Sequence, residues 1–161
     1  MKKNLISTLL FLMLANCGFS PIYSVSDNQK IDINIKSIEG DRLINNQIIS
    51  QLNRIDDDKS KNKFNIDINT LYNKSISSKD TTGATSSYQL DVVSEIIIGS
   101  KDSVEKINIT EKFIMDKNVN TVDERNYERT IKKTFASLIV KQVLTKLYSK
   151  KWLSNLLRLI K

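Results

Sequence analysis

Residues 31–55 read IDINIKSIEGDRLINNQIISQLNRI, and their apolar residues change period partway along. Ile31, Ile33 and Ile35 recur at every second position, which lines them along one face of a half-buried strand. Gly40 and Asp41 then open a second pattern. Ile44, Ile48, Leu52 and Ile55 follow at steps of four, four and three, a single helical stripe with Asp41 placed to cap its start. A strand that turns directly into an amphipathic helix needs a sheet for that helix to cover, so the next strands decide the fold.

Three more alternating stretches supply it. The first covers about 63–73, with Phe64, Ile66, Ile68 and Tyr72 inward. The second covers about 88–98, with Tyr88, Leu90, Val92, Ile96 and Ile98 on one side. The third covers about 104–115 through Ile107, Ile109, Phe113 and Met115. Between the first two, SSKDTTGATSS at 77–87 reads as a polar, mobile connection; Gly99 to Asp102 turns the chain between the last two. A long helix is expected from about Asp123, carrying Tyr127, Ile131, Phe135, Leu138, Ile139, Val143 and Leu147. The order is β-α-β-β-β-α. The first helix is a crossover, right-handed if the strands it joins lie parallel, and the remaining connections suit an antiparallel meander. The expected fold is therefore α+β: a two-layer sandwich with two helices on one face of a four-stranded mixed sheet. The other face, with Asp32, Asn34, Asn65, Asp67, Gln89 and Asp91, meets water or a hydrophilic partner. Asp56, Asp57 and Asp58 lack the alternate spacing and glycine turn of a calcium loop and read as a solvated linker.

The start of the chain is of a different kind. Lys2 and Lys3 precede an uncharged, mostly apolar run at 5–15, too short for a bilayer, which takes about 20 residues, and right for a secretory signal peptide. Leu14, Ala15, Asn16 and Cys17 then resemble the lipobox of bacterial lipoproteins, with Asn16 standing where Gly, Ala or Ser is usual. In that family the Cys thiol is diacylated and the chain is cut just before it. Cys17 is the only cysteine, and lipidation removes the liability of an unpaired thiol in an oxidising compartment. The alternative is an ordinary signal peptide with an incidental Cys. Gly18 replaces the Asp that retains enterobacterial lipoproteins at the inner membrane, so an outer-membrane location is expected. The expected organisation is 1–16 signal peptide, 17–28 lipid-anchored linker, 29–150 α+β domain, and 151–161 a basic apolar segment.

Charge is distributed unevenly. Ile, Lys and Asn make up 58 of 161 residues, a bias of the kind an AT-rich genome produces, so the net charge of +7 says little by itself. No acidic residue follows Glu128, whereas nine basic ones do. Residues 17–128 by contrast carry 14 basic and 18 acidic side chains. Such a one-sided field attracts phosphorylated lipid heads, an acidic protein surface or nucleic acid, and export argues against the last. Lys132, Lys133, Lys141, Lys150, Lys151, Trp152 and Arg158 are the expected contacts with anionic lipid or a partner. If helical, KWLSNLLRLIK at 151–161 gathers Trp152, Leu153, Leu156, Leu157 and Ile160 on one face. It either packs on the body or lies in a headgroup layer.

Catalysis has little to work with. The chain has no histidine, which excludes Ser-His-Asp and Cys-His arrangements and the common zinc sites. Its four glycines form no phosphate loop. A non-enzymatic protein without cofactor or metal, apart from covalent lipid on Cys17, is expected.

CGFSPIY at 17–23 resembles the opening of mature lipopolysaccharide-assembly lipoproteins, the LptE family, in its alphaproteobacterial form: Cys-Gly-Phe-x-Pro-Leu-Tyr. Cys17, Gly18, Phe19, Pro21 and Tyr23 match, with Ile22 in place of Leu. The likeness extends to the element order, to SYQLDV at 87–92, and to the spacing of Leu138, Gln142, Val143 and Leu147. The resemblance implies an outer-membrane lipoprotein that plugs the LptD β-barrel, assists its assembly and takes part in lipopolysaccharide delivery. Its partners would then be LptD and lipopolysaccharide. The competing class is an auxiliary lipoprotein of another envelope lipid-transport system of ABC type, or an envelope-integrity lipoprotein.

Overall fold

The computed structural model describes residues 31–60, 62–101 and 103–159, and side chains as far as Trp152. The signal peptide, Cys17, the linker and the Gly-Phe-x-Pro opening lie outside the described residues, as do Ile160, Lys161 and the side chain of Arg158. The alternating stretch forms β1 (Asp32–Gly40), and Ile44, Ile48 and Leu52 of the stripe lie on α1 (Arg42–Leu52), with Ile55 in the turn that follows it. The chain continues through β2 (Lys63–Lys79), β3 (Thr85–Gly99), β4 (Val104–Asp116) and α2 (Thr121–Leu159). The sheet order is β1-β2-β3-β4, with β1 parallel to β2 and the other pairs antiparallel. This is the expected α+β fold in the expected order.

The turn from β1 into α1 shows how local chemistry sets the architecture. Gly40 adopts φ +97°, and the following amide, that of Asp41, donates to the Thr70 carbonyl at 2.8 Å. Asp41 then caps α1, its Oδ1 accepting from the amides of Leu43 and Ile44 at 3.0 Å each. α1 lays Ile44, Ile48 and Leu52 on the sheet, and all three are fully buried. α2 adds Ile131, Phe135, Ile139, Val143 and Leu147 to the same core, where they meet Ile66, Leu90, Val92, Ile96 and Ile98. One hydroxyl pair sits within it: Thr70 and Ser94, both fully buried, satisfy each other at 3.0 Å.

Several local expectations change. The polar run 77–87 is mostly paired strand, with Ser78 opposite Ser87 and Lys79 opposite Thr85. The Asp80 carboxylate builds the tight turn between them, accepting from Thr82 N at 2.8 Å, Thr82 Oγ1 at 2.6 Å and Ala84 N at 3.0 Å. Asp56 stays exposed but is also docked, since its Oδ1 accepts from Ile33 N at 2.7 Å and its backbone bridges Ile31. That contact covers part of β1's outer edge. Tyr127, Leu138 and Phe113, read as core, are partly exposed. Steps of four residues drift about 40° around a helix, so the buried face winds along α2 and takes in Ala136 and Val140, leaving Leu138 at its margin. Tyr127 and Phe113 instead stack edge to face at the rim, with centroids 6.2 Å apart.

Candidate functional site

The expected basic residues divide into two groups. Lys132 is held within the fold: its Nζ reaches Asp41 Oδ2 at 2.7 Å and lies 3.7 Å over the Tyr72 ring. Lys150 is tied to Glu105 at 3.2 Å and to Ser103 Oγ at 3.1 Å. Both charges are partly neutralised inside the chain. Lys133 and Lys141 are exposed, Lys151 is half-buried, and Trp152 is exposed. Lys132 belongs to a polar cluster that clamps the start of α2 to the sheet, whereas Lys150 lies toward the other end of the helix. Lys74 Nζ bridges Glu124 and Glu128 at 3.0 and 2.9 Å and lies 4.2 Å over Tyr88, while Tyr72 donates to Glu128 at 2.8 Å. Burial alone pushes the Glu128 carboxyl up, but the bonds from Lys74 and Tyr72 outweigh it and hold it below the usual range. Burial and the Glu128 carboxylate push the Tyr72 phenol up, so it remains a neutral donor.

A lateral cleft of about 350 Å³ opens between β4 and α2, lined by Ile107, Asn108, Ile109, Gln142, Thr145 and Lys146. Polar ties bracket it. Gln142 donates to Glu111 at 3.0 Å, and Lys146 and Lys150 both meet Glu105 at 3.2 Å. These contacts show that α2 runs antiparallel to β4, reaching the β3–β4 turn at Lys150. The open sheet face carries the expected polar residues, several of them paired: Asn34 donates to Asn65 at 3.0 Å, Ser37 to Asp67 at 2.9 Å, and Gln89 to Asp91. It also carries Leu71 and Val93 directly opposite each other, both exposed, with Ile114 further along β4. The sequence signal for that pair is the apolar doublets Leu71-Tyr72 and Val92-Val93, which break the alternation.

Among the described residues no group of three or more His, Cys, Asp or Glu side chains is placed to hold a metal, and no helix is long and apolar enough to cross a membrane. The geometry offers surfaces for partners: a mostly polar sheet face and a basic helix end.

No protein-family model matches the sequence, and no curated protein matches it. Solved structures share its fold. The crystal structure of the rare lipoprotein B from Shewanella oneidensis superposes with a TM-score of 0.56 at 13% identity, over 76% of this chain and 99% of that one. A putative lipoprotein from Caulobacter crescentus gives a TM-score of 0.50 at 11% identity, over 76% of this chain and 90% of that one. At such identities the likeness is one of fold: the chain has the α+β architecture found in these bacterial lipoproteins.

Proposed function

We propose that the chain is an outer-membrane lipoprotein, anchored through acyl chains on Cys17, that plugs and helps assemble the LptD barrel for lipopolysaccharide delivery. One conjunction carries the reading: the Cys-Gly-Phe-x-Pro opening at 17–21 stands before a domain whose fold is that of rare lipoprotein B from Shewanella oneidensis. Either feature alone is common; together they narrow the field. The role needs no catalytic centre. The paired amides, hydroxyls and carboxylates on the open sheet face suit the polar interior of a large barrel.

Co-purification in detergent tests the proposal. A tagged full chain is expected to bring down LptD in near-equal amount, and its depletion to lower the yield of heat-modifiable barrel. Normal barrel folding with lipopolysaccharide still reaching the surface overturns it. The anchor has its own test: palmitate labels the wild-type chain and not Cys17→Ser, and label retained in the variant removes the assignment.

A further inference from the structure

Both chain segments that leave the domain do so at the same end of the sheet. β1 begins with Asp32 opposite Lys63, two residues before Asn65, which pairs with Gly99 at the β3–β4 turn. Lys150 is bonded to Ser103 in that same turn and to Glu105 at the start of β4. Because α2 runs antiparallel to β4, every residue after Lys150 carries the helix past the end of the sheet. The helix continues to Leu159, about 13 Å further at 1.5 Å per residue. Leu147 is the last buried hydrophobic residue among the described side chains, and Trp152 is 66% exposed.

Residues 151–159, KWLSNLLRL, hold one tryptophan, four leucines and two basic residues, with no acid. An apolar, basic helix projecting beyond its domain has the composition of a segment that lies at an interface. Its position names the interface. Thirteen residues lie between Cys17 and Ile31, a tether reaching up to about 46 Å when extended. A lipid on such a tether holds the domain near a membrane without fixing which end faces it. A second contact at the end where the tether enters fixes that orientation.

We propose that residues 151–159 form an interfacial helix that seats Trp152 in an anionic lipid headgroup layer, beside the point where the N-terminal tether enters the domain. The basic residues supply attraction to lipid phosphates and the apolar ones partition below them. The proposal rests on the lipoprotein reading for the identity of the membrane, and the experiment separates the two.

Trp152 is the sole tryptophan of the chain, so intrinsic fluorescence reports this segment directly. The full chain, purified from membranes, is reconstituted into phosphatidylcholine vesicles with or without phosphatidylglycerol, and a brominated phosphatidylglycerol serves as quencher. Blue-shifted, quenched emission is expected with the anionic vesicles and water-like emission with the neutral ones. Lys151→Glu with Arg158→Glu is expected to weaken the anionic-vesicle response by more than about tenfold. Arg158→Glu alone provides the comparison if the Lys151 change lowers the melting temperature.

Water-like, unquenched emission on anionic vesicles overturns the proposal. Blue-shifted emission without any vesicle does so too, because the segment then packs against protein. Equal insertion into both vesicle types overturns the anionic commitment. Intact mass distinguishes the two readings. An acylated chain with an unquenched Trp152 keeps the anchor and removes the interfacial helix. A chain without acyl mass whose Trp152 is quenched does the reverse.

Discussion

Gly40 sits where no other residue fits. Its φ of +97° is strained for any side chain, and a Cβ built there would come within 1.8 Å of the Thr70 carbonyl oxygen. Relieving that contact means separating β1 from β2 at the point where Asp41 N bonds the same oxygen. Gly40→Ala is therefore expected to cost about 2–5 kcal/mol, combining backbone strain with overpacking. Urea unfolding measures it, and a loss below about 1 kcal/mol would contradict the close approach described. Asp41 next door works with both carboxylate oxygens, one capping α1 and the other holding Lys132. Burial raises its pKa, but the Lys132 bond and the amides of Ile44 and Leu43 outweigh that and leave it below the ordinary value of 3.8. Glu128 is shifted the same way. A carboxylate with a depressed folded pKa stabilises the fold above its unfolded pKa, and the contribution disappears as pH falls through the folded one. These two groups thus add a constant term at neutral pH and lose it below about pH 4. Asp41→Asn keeps the cap oxygen and gives up the charge, so it is expected to lower the melting temperature at pH 7 and to flatten its fall between pH 5 and pH 3. An unchanged acid limb would show that Lys132 gains nothing from Asp41.

At the scale of elements, what was legible in the sequence is what hydrophobic periodicity encodes. The stripe Ile44, Ile48, Leu52 and the alternation Leu90, Val92, Ile96, Ile98 are buried as spaced, so order, type and layering follow from them. Elements held together by polar groups were not legible. Ser78 lies 2.6 Å from both Ser86 and Ser87, and Asp80 ties three donors, yet by composition the run 77–87 is indistinguishable from a linker. β1 likewise outruns its pattern, because an irregularity between Ile35 and Ser37 resets the alternation and brings Ile38 opposite Ile68. For the candidate site, the sequence located the basic end of α2. It did not show that Lys132 and Lys150 are engaged by Asp41 and Glu105, since such pairings join residues far apart in the chain. The hairpin makes a prediction at this scale. Asp80→Ala removes the turn's side-chain acceptor while leaving the core untouched, so amide exchange should quicken across 76–88 with the slow amides of β3's buried half unchanged. Uniform acceleration over the whole sheet would mean instead that the tip is coupled to global unfolding.

Across the whole molecule, α2 has two regimes, and they divide near Leu147. Up to that residue the helix is the roof of the core, pinned on one side by the Lys74, Glu124 and Glu128 cluster and on the other by Glu105 with Lys146 and Lys150. Beyond Lys150 it leaves the sheet behind. A helix continuing past its support earns little from packing, so two neighbouring changes should behave very differently. Leu147→Ala opens a cavity in a fully buried site and is expected to cost about 2–4 kcal/mol. Ending the chain after Lys150 removes more atoms but spares the core, Tyr148 and the Glu105 ties. The shortened domain should keep one cooperative transition with a melting temperature within a few degrees of the parent, because about 1 kcal/mol moves a domain of this size by only about 2–8 °C. Thermal unfolding of the two variants side by side decides between a packed and a projecting end. If truncation destabilises as much as Leu147→Ala, residues 151–159 belong to the core and their sequence answers to packing. If it does not, their apolar residues are kept for a surface outside the domain.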